Sequence, residues 1–259
     1  VAATQQQIIV DGRPVTVYRT SVGDAATDAP TFVMVHGIGV SHRYFRRLRD
    51  ELRGTGNTLT FDLPGFGRSP RPEGTWSVEQ YAAFIGHVLD HEGVTGAVVI
   101  GHSMGAQFVT ELAGTRPELV SHAVLIGPVT DPRRATAVQQ GAALARDTLK
   151  EPLVGNLVVF SDYLRCGFRW YAKELVPMLD YRSDLAVRRV SSPVLVVRGG
   201  RDPVASSEWC SLLASQALDG SLVEVGDARH LVQLSAPVDT ARAISAFVGR
   251  QVSLEAPPA

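Results

Sequence analysis

Three residues, far apart in the chain, are of the types that can together cleave an acyl bond. Ser103 stands in GlyHisSerMetGly (101–105), Asp202 in GlyGlyArgAspProVal (199–204) and His230 in GlyAspAlaArgHisLeu (226–231). A serine hydroxyl is a poor nucleophile near neutral pH. It needs a base to accept its proton and an acid to orient that base. His230 suits the first role and Asp202 the second. The negative charge that attack places on a substrate oxygen also needs donors. HisGlyIleGly (36–39) offers the N–H of Ile38, and the residue after the serine offers the N–H of Met104. The expected site is therefore Ser103, Asp202 and His230, with Ile38 and Met104 forming the oxyanion hole.

Residues this distant meet only if regular elements bring them together. Short apolar, β-branched runs alternate with longer helix-like stretches, as in a mostly parallel sheet flanked by helices. Ile8 to Val10 and Val15 to Tyr18 flank AspGlyArgPro and predict an opening hairpin. Interior strands are expected at Thr31 to Val35, Thr58 to Phe61, Ala97 to Ile100, Ala123 to Ile126, Pro193 to Val197 and Ser221 to Val225. In open α/β sheets ligands bind beyond the carboxyl ends of the strands. HisGlyIleGly, Ser103, Asp202 and His230 each follow one of these runs. Ser103 in addition precedes a helix-compatible stretch, the strand-to-helix setting that G-x-S-x-G requires.

The alternation lapses between Thr130 and about Ser192, where no strand with a crossover helix is evident. Residues 130–192 read as an inserted helical cap, with 1–129 and 193–259 as the core. Pro132, Pro152 and Pro177 are expected to divide the cap into three or four short helices. Leu153, Val154, Leu157, Phe160, Tyr163, Leu164, Phe168, Trp170, Tyr171, Leu175 and Met178 are expected mostly to pack the cap. A subset would line an apolar pocket over Ser103.

In the order Ser, Asp, His, each after a strand, the chain resembles the α/β-hydrolase fold family over about residues 5 to 250. AspLeuProGlyPheGlyArgSer (62–69) is similar to that family's D-x-P-G-x-G-x-S stretch, which in relatives shapes a loop near the site. The resemblance implies an α/β-hydrolase fold with a helical cap and a serine hydrolase cleaving a carboxylic ester, thioester or lactone through an acyl-enzyme on Ser103. It also implies a competing activity, carbon–carbon bond hydrolysis of ring-cleavage products. Relatives of that kind usually carry Trp after the catalytic His and Asn before the nucleophile, where this chain has Leu231 and His102. Epoxide and haloalkane hydrolysis require a carboxylate in place of Ser103. A non-catalytic ligand-binding protein on the same fold is the reading from another class. Its usual sign is a lost triad member, and all three are present.

Other residues invite plainer readings. Asp131 is a rival acid, but AspPro at 131–132 is an ordinary helix start. Asp227 reads as a turn residue. His87 and His91 have the i, i+4 spacing of metal ligands without a third ligand or an HExxH glutamate, and read as a solvated helix face. His36, His42, His102 and His122 read as structural. Arg165 and Arg169 could meet a substrate carboxylate, but read as a charged stripe facing solvent.

Composition limits the partners. The 259 residues are 45% hydrophobic, with 25 Lys and Arg against 26 Asp and Glu, and no block of one sign to bind nucleic acid. The two cysteines, Cys166 and Cys210, match neither a zinc site nor a disulfide framework. No cofactor and no metal are expected, and the expected partner is a small apolar substrate. No apolar run approaches the ~20 residues that span a bilayer, so a cytoplasmic protein is expected. The first residue is not Met, which leaves room for an upstream segment.

Overall fold

The structure, a computed structural model, describes residues 3–22, 29–132 and 153–255. Its centre is an eight-stranded sheet: β1 (Thr4–Val10), β2 (Arg13–Thr20), β3 (Thr31–Val35), β4 (Asn57–Phe61), β5 (Ala97–His102), β6 (Val120–Ile126), β7 (Val194–Gly199) and β8 (Gly220–Val225). The strand order is β1-β2-β4-β3-β5-β6-β7-β8. β2 runs antiparallel to β1 and to β4, and every other pairing is parallel. The opening hairpin forms as expected. Asp11 and Gly12 both have positive φ, 51° and 71°, the backbone that a two-residue turn needs to match the strand twist. The six interior strands fall within a few residues of their expected bounds.

Alternation along the buried strands explains the layering, because successive side chains point to opposite faces. Val33, Val35, Val99 and Val196 join one apolar core with α2 (Val78–Glu92), α3 (Met104–Thr115) and α7 (Ser207–Gln216). Phe32, Met34, Val98, Ile100 and Val197 join a second with α1 (Arg46–Leu52), α8 (Val232–Ser235) and α9 (Pro237–Glu255). Both faces are covered, so the strands read as continuous apolar runs. Local signals set helix ends: Ser77 and Gln80 form a reciprocal capping box on α2, and Gly93 closes it with φ 65°.

Between β6 and β7 the described residues form α4 (Leu153–Cys166), α5 (Phe168–Asp180) and α6 (Ser183–Ala186). Pro177 does not divide this region. It lies inside α5, where it removes one donor with only three helical residues left. The break comes instead at Gly167, φ 73°, between α4 and α5. Of the other expected breaks, Pro132 ends a described stretch and Pro152 lies outside the described residues. α4 and α5 are tied to the sheet-bearing part by Ser41 Oγ donating to Asp162 at 2.5 Å and Tyr81 Oη donating to Glu174 at 3.0 Å. Among the described residues no helix is long and apolar enough to cross a membrane. Cys166 and Cys210 are both buried and free.

Candidate active site

Ser103 occupies the turn between β5 and α3 with φ 57° and ψ −120°, a conformation that costs a non-glycine residue free energy and persists only where its surroundings enforce it. The surroundings do so tightly. Ser103 N–H donates to Ile126 on β6 at 2.9 Å. A Cβ on Gly101 would overlap the Gly105 carbonyl, and one on Gly105 would overlap that of Val35. Those two glycines allow β3, β5 and α3 to approach closely enough for the elbow to form.

His230 and Asp202 meet after β8 and β7. Asp202 Oδ2 lies 2.9 Å from His230 Nδ1. The other oxygen of Asp202 accepts the N–H groups of Val204 and Ala205 at 2.7 and 3.0 Å. Burial alone would raise the Asp202 pKa, but the His230 charge and hydrogen bond, helped by the two amides, hold it below the ordinary carboxylate value. The result is a carboxylate fixed as an acceptor against Nδ1. The Nδ1 partner is thus Asp202. The rival, Asp131, is buried after β6. Asp227 is exposed and pairs with Arg201 at 2.8 Å.

Ser103, His230 and Ile38 line one cavity, together with Gly37, Val40, Tyr44, His102, Val159, Tyr163 and Leu231. The cavity measures about 20 Å³, room for little more than one water molecule. Val159 and Tyr163 enter it from α4. The HisGlyIleGly loop lies against the serine, since a Cβ on Gly37 would stand 3.1 Å from Ser103 Cβ. Met104 opens α3, so its N–H is among the helix N-terminal donors without an intrahelical partner. Ile38 and Met104 thus belong to the two segments flanking Ser103.

The remaining histidines organise loops. His36 Nε2 accepts Leu63 N–H at 2.9 Å while its Nδ1 donates to Gly37 O at 2.8 Å, joining the loops after β3 and β4. Asp62 accepts from His42 Nδ1 at 2.7 Å and from the N–H groups of His42 and Arg68 at 2.9 and 3.1 Å. Burial opposes ionisation of Asp62, but the His42 bond and charge outweigh it and hold the carboxyl low. That is the physical content of the 62–69 stretch: its first residue clamps its own loop. His87 and His91 are half exposed and face Asp11 and Glu92 at 2.8 and 3.5 Å. Among the described residues no cluster of three or more His, Cys, Asp or Glu could hold a metal ion.

Three contributors were not evident from the sequence. A Cβ on Gly127, just past β6, would lie 3.1 Å from the His230 ring and 3.4 Å from Asp202. Tyr44 Oη accepts Gly37 N–H at 2.8 Å and bonds His102 Nδ1 at 2.9 Å. Val159 lines the cavity from α4, whereas Phe160, Leu164 and Phe168, expected to pack the cap, point to solvent. The reason is helical phase: with Val159, Tyr163 and Cys166 turned inward at i, i+4 and i+7, residues 160 and 164 lie about 100° away.

A model of the alpha/beta hydrolase family matches residues 32–243. A 2-(acetamidomethylene)succinate hydrolase of Mesorhizobium japonicum is 28% identical over 244 residues, 85% of this chain and 88% of that protein. A probable 1-acylglycerol-3-phosphate O-acyltransferase of Oryza sativa subsp. japonica is 31% identical over 139 residues, 52% of this chain but only 34% of that protein. Among solved structures, a thermophilic esterase from Thermogutta terrifontis superposes with a TM-score of 0.79 over 96% of this chain and 99% of that one, at 19% identity. The elbow, the sheet order and the family match agree, and the chain, which spans about a third of the length of the first curated relatives it matches, belongs to the alpha/beta hydrolase family.

Proposed function

We propose that this hydrolase cleaves a carboxylic ester, thioester or lactone of a small apolar substrate through an acyl-enzyme on Ser103. The observation that carries the reading is a strained serine sharing one cavity with a histidine whose Nδ1 lies 2.9 Å from a buried carboxylate. Ser103 Oγ attacks the carbonyl carbon and His230 takes the hydroxyl proton. Asp202 holds the imidazole in the tautomer that leaves Nε2 unprotonated and stabilises the imidazolium that forms. The N–H groups of Met104 and Ile38 bind the oxyanion. His230 then protonates the leaving group, and a water activated by the same imidazole hydrolyses the acyl-enzyme. Of the cap assigned to residues 130–192, residues 133–152 lie outside the described residues, and its described helix α4 lines the cavity with Val159 and Tyr163, with residues 1–129 and 193–259 assigned to the core. The lining by Val40, Val159 and Leu231 supports an apolar acyl group.

The test is turnover of a p-nitrophenyl ester series from acetate to laurate by wild type and Ser103→Ala. A ring-cleavage dienoate and 2-(acetamidomethylene)succinate, the compound for which the Mesorhizobium relative is named, run alongside. Ester turnover that falls by about a thousandfold or more in Ser103→Ala supports the proposal. Turnover of the dienoate alone would replace it with carbon–carbon hydrolysis.

A further inference from the structure

We propose that the outer face of α4 and α5 docks the protein on an anionic lipid bilayer surface. The inner sides of these helices carry Val159, Asp162, Trp170 and Glu174, all buried. The outer sides are apolar in a regular way. Phe160 and Leu164 are i, i+4 on α4, and Phe168, Ala172 and Val176 are i, i+4, i+8 on α5. Phe160 is 58% exposed, Leu164 68%, Phe168 84% and Val176 58%. Among the described residues, half of the exposed large hydrophobic side chains lie in this stretch of α4 and α5. Scattered single apolar residues are ordinary on a protein surface, but a spaced row on adjoining helices is not.

Cations flank the row. Arg165 follows Leu164, Arg169 follows Phe168, and Lys173 lies four residues on from Arg169. All three are exposed. Neighbouring elements add more. Arg71 lies over the Trp170 ring at 5.4 Å and lines, with Arg169 and Lys173, an open cleft of about 350 Å³. Arg43, Arg68 and Arg165 line a second of about 460 Å³. Of the acidic residues on these helices, Asp162 offsets Arg43 at 3.2 Å, and the other two stand apart from the row. Asp162 is buried against Ser41 and Arg43, Glu174 is buried against Tyr81, and Asp180 stands at the far end of α5. The chain as a whole carries a net charge of −1, so the excess is local.

Exposed Phe and Leu set among Arg and Lys suit a surface that is anionic on top and apolar just beneath. Phosphate headgroups meet the guanidinium and ammonium groups, and the aromatic and aliphatic side chains sink to the acyl boundary. The arrangement also bears on the site. α4 presents Val159 and Tyr163 to the cavity and Phe160 and Leu164 to the membrane, so a docked molecule holds the roof of its cavity at the lipid surface.

The experiment is co-sedimentation of the full chain with vesicles of phosphatidylcholine alone or mixed with phosphatidylglycerol, at low and high salt, reading protein rather than turnover. Wild type should pellet with the mixed vesicles at low salt and be released by high salt. Arg165→Glu with Arg169→Glu and Lys173→Glu should weaken partitioning by about a hundredfold or more. Phe160→Ser with Leu164→Ser and Phe168→Ser should abolish stable binding. All six positions are exposed, and circular dichroism melting checks that each variant folds as wild type does. Absence of binding to the mixed vesicles, or binding that neither set of variants changes, overturns the proposal. So does a wild-type dimer in light scattering that the serine variants convert to monomer, which would make this face a contact between two copies.

Discussion

His102 and His230 are joined through the main chain of one and the side chain of the other: His102 Nε2 donates to the His230 carbonyl at 2.9 Å, and the two rings lie 4.8 Å apart. Because a carbonyl can only accept, the proton of His102 sits on Nε2, and Nδ1 must accept from Tyr44 Oη–H. The Tyr44 oxygen in turn accepts Gly37 N–H. Burial, with the neighbouring His230 charge, pushes the His102 pKa down to about 3, so this ring is neutral near neutral pH. One neutral imidazole thus couples the loop carrying Ile38 to the loop carrying His230.

Tyr44→Phe tests that coupling. The substitution leaves Gly37 N–H and His102 Nδ1 without this buried partner, at a cost of about 1–3 kcal/mol in stability. It touches neither Oγ of Ser103 nor the His230–Asp202 pair. On the proposed mechanism kcat should fall about tenfold with KM little changed, since the loss is of positioning rather than substrate contact. A melting shift with unchanged kcat would confine Tyr44 to a structural role.

Gly127→Ala tests the wall behind the His230–Asp202 pair. The added methyl would stand 3.1 Å from the imidazole, tighter than ordinary packing, and Gly127 has φ 52°. Alanine at positive φ costs about 1 kcal/mol. The imidazole has to yield, and kcat should fall by more than about tenfold in ester hydrolysis while the protein remains folded. Wild-type kcat in a folded Gly127→Ala protein would show that the ring has room to move without consequence.

Much of this site is legible in the sequence because its parts are local. Ser103 sits in a five-residue motif directly after the apolar strand β5, and Asp202 and His230 sit on the loops after the last two strands, β7 and β8. Strand ends on one side of a parallel sheet must converge, so chain order suffices to predict the meeting. Gly127 was not legible because a glycine after a strand is commonplace. Its role exists only once the loop after β8 has folded over β6, about a hundred residues later. Tyr44 and His102 are also distant in sequence, and nothing in either segment marks the bond between them. The same holds for Val159 against Phe160. Which face of α4 turns inward depends on how the helix docks, and both faces carry apolar residues.

Val159→Ala and Tyr163→Ala test what limits the substrate. The cavity in front of Ser103 holds little more than a water molecule, and these two side chains close it from α4. Truncating either adds room on the side where an acyl chain would extend. Relative kcat/KM should move from acetate toward longer p-nitrophenyl esters, by about tenfold for Tyr163→Ala and less for Val159→Ala. An unchanged chain-length profile would mean that the acyl chain takes another path out of the cavity.

Glu174 makes stability depend on pH in the direction opposite to most carboxylates. It is fully buried on the inner side of α5, and burial raises its pKa from the ordinary 4.5 to about 7 despite hydrogen bonds from Tyr81 and the Trp76 amide, which act the other way. Between those two values the folded chain holds a proton that the unfolded chain has released. Stability from this group is therefore fully present below about pH 4.5 and is lost as pH rises through 7, by up to about 3 kcal/mol. Asp62 and Asp202, whose pKa values are lowered, act at the acid end, where their contributions disappear as pH falls. Glu174→Gln keeps the shape and stays neutral, so it removes the first dependence and leaves the second. Urea unfolding midpoints at about pH 5 and about pH 8 separate the cases. The variant should match wild type at the lower pH and exceed it at the higher, and equal midpoints at both would show that Glu174 is ionised in the folded protein throughout.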